Sequence, residues 1–169
     1  LDRTAPLPET GHSNWSGFQG SAPVRSGNQA AEHVQNDVYG EMILALAPIF
    51  FDERFQELRS SDVERLLEGL GLRCVRSLGQ TDAGPWELRN KLQQHSFTNL
   101  MCWAGLRKLR QIRELEFLSR ASFSPEHYEQ QALQLINSAV QDGTLRYGPA
   151  DPSFDGSLLI LPLLSFPDQ

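Results

Sequence analysis

Apolar residues return at intervals of three and four in one segment after another, and that rhythm restricts the fold more than any other feature of the chain. Over residues 63–78 the set is Val63, Leu66, Leu67, Leu70, Cys74, Val75 and Leu78. Over 97–115 it is Phe97, Leu100, Met101, Ala104, Leu106, Leu109, Ile112 and Leu115. A period near 3.6 places such residues on one face of a helix, so each segment carries a stripe to bury against a neighbour. Ala31, Val34, Val38, Met42, Ala45, Leu46 and Ile49 form a third stripe, and Tyr128, Ala132, Leu135, Ile136 and Ala139 a fourth. Leu158 to Leu164 is an apolar run broken by Pro162, which reads as a short buried helix. No stretch alternates every two residues as a half-buried strand would. The fold class expected is all-α.

Capping residues set the helix ends. Ser26 with Gln29 can open a helix from about residue 27 to 47, stopped near Pro48. Ser61 with Glu64 is a second capping box, and Gly79 suits the position just past that helix's end. Gly69 and Gly71 inside it cost about 1 kcal/mol each against alanine, which their small size offsets if helices meet there closely. His95 reads as a capping or surface group. Pro125 after Ser124 fits the first turn of a later helix, ended by Asp142-Gly143. Residues 1–27 are punctuated by Pro6, Pro8, Gly11, Gly17, Gly20 and Pro23 too often for a regular element, and read as a long loop with Trp15 and Phe18 as its aromatic anchors. Such a loop either lies on the surface or lines a ligand site, where an aromatic face packs on sugar CH groups.

Composition excludes several functions. The 169 residues include 21 acids and 15 bases, a net charge of −6, which opposes a nucleic-acid partner because phosphate needs a basic face. No apolar run is long enough to span a membrane. The two cysteines, Cys74 and Cys102, sit on apolar helical faces and read as free buried thiols, compatible with a reducing, cytoplasmic location. No metal-ligand spacing and no nucleophilic triad occur, so no cofactor is expected. The chain opens at Leu1 with no charged-then-apolar leader and reads as an excised piece.

One stretch carries chemistry: Gly84-Pro85-Trp86-Glu87-Leu88-Arg89. An acid follows a tryptophan in a Gly/Pro turn leading into the long helix expected from His95 to Phe117. An apolar aromatic wall disfavours a carboxylate and raises its pKa. A carboxyl kept protonated in a sugar-sized cleft can protonate the oxygen of a leaving group. The alternative is that Trp86 and Glu87 are ordinary turn residues. Asp37, Tyr39 and Glu41 lie on one helix; Tyr39 and Glu41 read as bonding to neighbouring helices, and Asp37 stays open. Asp155 begins the 158–164 segment as an N-cap.

Several segments, in order, resemble glycoside hydrolase family 15, the bacterial glucoamylase and trehalase family. Gly20-Ser21-Ala22-Pro23-Val24-Arg25 is similar to its GS-R-PVR segment, with Ala22 where the family has arginine. Asn28-Gln29-Ala30-Ala31-Glu32 and Gln35-Asn36-Asp37-Val38-Tyr39-Gly40-Glu41 resemble its GN-A-AE…Q-x-DVYGE signature. Trp86-Glu87-Leu88-Arg89 resembles W-E-V-R, Leu100-Met101-Cys102-Trp103 resembles VMCW, and Asp155-Gly156-Ser157-Leu158-Leu159 resembles DASLLLLPL.

The resemblance implies part of an (α/α)6 toroid and an inverting, exo-acting hydrolase of α-linked glucosides, either α-glucans or trehalose. Glu87 would be the general acid, with Trp86, Arg89, Trp15, Asp155 and Arg25 around the sugar. The family's general base would lie beyond residue 169, and its Arg-Asp sugar clamp and β-sandwich before Leu1. The chain is then one partial catalytic domain, a loop region over 1–27 and helices over 28–169. A second reading is a non-catalytic helical toroid used for protein interaction, as in the related regulatory subunits of phosphorylase kinase. Glu87 behind Trp86 favours the enzyme.

Overall fold

The computed structural model describes residues 8–87, 92–118 and 122–167. The chain divides into two compact units, Leu1–Val34 and Gln35–Gln169.

The first unit differs from the loop expected. Two short strands, β1 (Thr10–His12) and β2 (Val24–Ser26), pair antiparallel with Gly11 opposite Arg25. The intervening Gly, Pro and Ser residues form the turns that bring them together, and strands of three residues are too short to show alternation in the sequence. A 3-10 turn at Gln29–Glu32 follows, capped by the Asn28 side chain accepting from Ala30 N, and not by Ser26.

In the second unit the helices are α1 (Asp37–Leu46), α2 (Pro48–Phe51), α3 (Ser61–Ser77), α4 (Ser96–Glu114) and α5 (Pro125–Asn137). The described residues are mostly helical and the fold is all-α. The single helix expected from 27 to 47 is broken before Asp37. Asn36 N is taken by the Asp82 carboxylate at 2.8 Å, a long-range partner that local periodicity does not reveal. Ser60 rather than Ser61 caps α3, accepting from Val63 N, while Glu64 accepts from Leu118 N at 3.0 Å. Gly79, at φ 69°, ends the helix as expected. Asp142-Gly143 does not end α5, which stops at Asn137 with Ser138 as its C-cap. Both residues have positive φ and form the two-residue turn between β3 (Val140–Gln141) and β4 (Thr144–Leu145), the conformation such a hairpin requires.

α4 is the centre of the core. Every residue from Ser96 to Leu106 is buried, and α1, α3 and α5 all pack on it. The contact with α1 is backbone against backbone. A methyl group at Gly40 would stand 2.1 Å from Met101 O, and one at Gly105 would stand 3.1 Å from Gly40 Cα. Gly71 of α3 is similarly tight against Leu109 and Phe123, whereas Gly69 has open space around it. Cys74 and Cys102 are free and buried. Cys102 Sγ lies 3.9 Å from Asn36 O, and its hydrogen bond with Cys74 together with burial pushes its pKa well up. The run Gly156–Leu164 is a 3-10 helix rather than a buried α-helix. Only Leu158 of it is buried, while Leu159 and Leu163 are 83% and 84% exposed. No helix among the described residues is long and apolar enough to cross a membrane.

Candidate active site

Trp86 and Glu87 close a tight turn, Gly84–Glu87, in which Glu87 N donates to Gly84 O at 3.3 Å. Gly84 has φ 64° and Glu87 φ 48°. The first is free for glycine. The second is a left-handed conformation that costs a residue with a Cβ on the order of 1 kcal/mol, strain typical of functional sites. Glu87 is exposed and Trp86 is 56% exposed, so within the described residues no apolar wall covers the acid, contrary to the expectation from the turn alone.

The Trp86 indole Nε1–H donates to Asp155 Oδ1 at 2.9 Å. Asp155 also caps the Gly156–Leu164 helix, accepting from Ser157 N at 2.9 Å and from Ser157 Oγ at 2.6 Å. The capping role and the site role of Asp155 therefore coincide. Trp86, Tyr147, Asp151, Ser153, Phe154 and Asp155 line an open cleft of about 360 Å³, large enough for sugar rings and furnished with aromatic faces and carboxylates. Arg146 lies over the Phe154 ring, 4.3 Å from its centroid. A larger cavity, about 460 Å³, lies between α4 and α5, but its arginines are already engaged: Arg110 bonds Glu129 at 2.8 Å and Arg107 donates to Ser165 O at 2.7 Å.

The other expected residues fall elsewhere. Arg89 lies outside the described residues. Trp15 and Arg25 belong to the first unit. There Trp15 is 57% exposed and stacks on His12 at 4.8 Å, and Arg25 pairs with Glu9 at 3.0 Å. Glu41 is exposed, not turned to a neighbouring helix, and Tyr39 packs against the core. Asp37 is buried and its pKa is raised to about 6, first by burial, then by Glu41, with a smaller push from Asp82. No group of three or more His, Cys, Asp or Glu among the described residues could hold a metal ion.

Sequence reasoning missed the group beneath the turn. Asp82, His95, Ser96 and Thr98 are each at most 1% exposed. His95, expected as a capping or surface group, stands at the N-cap position of α4 without a side-chain cap bond, and it is enclosed because Tyr147 meets its ring edge-on at 4.8 Å and Gly84 sits against its face. Its Nε2 faces Asp82 O at 3.2 Å, and since a carbonyl only accepts, Nε2 carries the hydrogen. The one available signal was Asp82 itself, an acid two residues before a turn glycine.

Residues 2–166 match the sequence model of the family described as Glycosyl hydrolases family 15. The chain belongs to glycosyl hydrolase family 15. The trehalase of Mycolicibacterium smegmatis is 26% identical over 155 residues, covering 89% of this chain and 22% of its own length. Trehalase 1 of Sulfolobus acidocaldarius is 24% identical over 176 residues, covering 99% of this chain and 28% of its own. The trehalase of Mycobacterium tuberculosis is 25% identical over 162 residues, covering 89% and 22%. The chain thus spans about a quarter of the length of these relatives. No solved structure matches it significantly. Family 15 membership gives the Trp86–Asp155 cleft a context: two separated segments that carry the family resemblance meet through one hydrogen bond beside an acid.

Proposed function

We propose that this chain is the part of an inverting α-glucoside hydrolase that supplies the general acid, Glu87, with trehalose as the foremost substrate and α-glucans as the alternative. The observation that carries this reading is the Trp86–Asp155 hydrogen bond, which sets an acid-bearing strained turn at the rim of an aromatic cleft. Trehalase names among the relatives favour trehalose. In this reading Trp86 and Phe154 offer faces to sugar CH groups, and Asp151 and Asp155 offer acceptors to hydroxyls. The family resemblance adds Arg89, Trp15 and Arg25 as candidate sugar-binding residues. Glu87 hands its proton to the leaving glycosidic oxygen as the C1–O bond breaks. Water, activated by a general base outside these 169 residues, adds to the opposite face.

The test uses the parent protein. Glu87→Gln keeps size and hydrogen bonding but removes the transferable proton. It should lower kcat by roughly 10²–10⁴-fold with KM little changed, because the loss is confined to the transition state. Inversion at one C1 of α,α-trehalose releases one β- and one α-glucose, whereas retention releases α-glucose only; proton NMR of fresh product distinguishes them. Near-wild-type turnover by the Gln variant on both trehalose and maltose would return the chain to the interaction-domain reading.

A further inference from the structure

Three parts of the second unit converge on a single carboxylate. Asp82 is fully buried, and it accepts from Asn36 N at 2.8 Å ahead of α1 and from Gly84 N at 3.1 Å in the turn. Thr98 Oγ1, in the first turn of α4, lies 3.0 Å from one of its oxygens and 3.3 Å from the other. The Asp82 backbone pairs with Gln93 in both directions, at 3.0 and 3.2 Å, and so shuts the base of the segment that carries Trp86 and Glu87. Gln93 Nε2 reaches Asp151 at 3.3 Å, and Ser96 N donates to Tyr147 O at 2.9 Å, so the far wall of the cleft hangs from the same base. Gln35 Nε2 adds a bond to Gly84 O at 3.2 Å.

A burden of this kind is unusual for a turn residue. A fully buried carboxylate is costly unless its lone pairs are satisfied, and here backbone N–H groups from two separate segments and a threonine hydroxyl satisfy them. The donors are also the groups whose positions decide where Glu87 stands. Fixing Gly84 N and Gly84 O fixes the first residue of a four-residue turn, and Glu87 is the last.

We propose that Asp82 is a positioning residue: its buried carboxylate, held by Thr98 and Asn36, sets the turn so that Glu87 can deliver its proton to the leaving oxygen. This rests on the reading of Glu87 as general acid. Asp82 touches no substrate; it acts through Gly84 and the Asp82–Gln93 pairing.

Two variants of the parent protein test it, each assayed on two substrates. Thr98→Val keeps the shape of the side chain and removes one donor to Asp82. Asp82→Asn turns one acceptor into an NH₂ that faces a donor. On trehalose or maltose the leaving oxygen needs a proton. On α-glucosyl fluoride the C1–F bond breaks with fluoride departing as the anion, and water supplies the new C1–O bond, so the acid matters little. Misplacing a reacting group by about 1 Å costs on the order of 10²-fold. Both variants should therefore lose about 10- to 10²-fold in kcat on the natural glucoside and less than about threefold on the fluoride, with KM little changed. Thr98→Ser should restore the rate. Thermal melts check folding, and if Asp82→Asn fails to fold, Thr98→Val decides. Equal losses on the two substrates, or no loss in a folded Thr98→Val protein, overturn the positioning role while leaving Glu87 as acid. Wild-type turnover by Glu87→Gln overturns the acid and the positioning role together.

Discussion

Asp37 is a buried acid that gains nothing from ionising. Burial, Glu41 and, more weakly, Asp82 hold its pKa at about 6 against an ordinary 3.8. The native state keeps the proton to a higher pH than the unfolded state does. This contribution to stability is therefore complete below about pH 4 and is lost as the pH rises through 6. The loss is on the order of 3 kcal/mol. Asp37→Asn cannot titrate, so urea melts of this variant at pH 4 and pH 7 should differ by that much less than wild-type melts do; an unchanged pH slope would show Asp37 to be hydrated. At this scale the acid-bearing turn was legible in the sequence, because Gly84-Pro85-Trp86-Glu87 announces itself by composition. Asp82 and His95 were not legible. Their burial depends on Asn36, 46 residues back, and on Tyr147, far ahead, and neither contact leaves a local trace.

Two glycines on helices of this fold should respond with opposite sign to the same change. Gly69 on α3 is exposed with nothing near its missing methyl, so Gly69→Ala should gain about 1 kcal/mol from helix propensity alone. Gly40 on α1 has the Met101 carbonyl where that methyl would go. Gly40→Ala must push α1 off α4 and should lose about 2–3 kcal/mol, as overpacked cores do. Urea midpoints of the two variants against wild type measure both. The apolar stripes of α3, α4 and α5 were readable in advance, whereas their ends were less so: Ser60 rather than Ser61 caps α3, and α5 stops at Asn137, short of Asp142-Gly143. The break in the helix expected from 27 to 47 was not readable, because its apolar spacing continues across residues 33–36 while the backbone there is claimed by Asp82. Asp142-Gly143 shows a different gap. The dipeptide was read as a stop, yet the same left-handed pair is what a hairpin turn needs, and only the two short strands beside it decide between the two.

For the molecule as a whole, surface chemistry outweighs net charge. Phe154, Leu159 and Leu163 are 76–84% exposed and lie within ten residues of one another, with Trp86 hydrogen-bonded at Asp155 beside them. Apolar groups gathered in this way favour association. The 169-residue chain made alone should self-associate despite its charge of −6, and sedimentation showing a monodisperse monomer at micromolar concentration would refute this. The Trp86–Asp155 hydrogen bond also sets an order in time. Trp86 and Asp155 are 69 positions apart. At roughly 5–20 residues per second of synthesis, the turn bearing Glu87 leaves the ribosome some 3–14 s before the residue that anchors its tryptophan. During that interval the turn exists without its anchor, so the cleft closes only after α1 to α5 have been made.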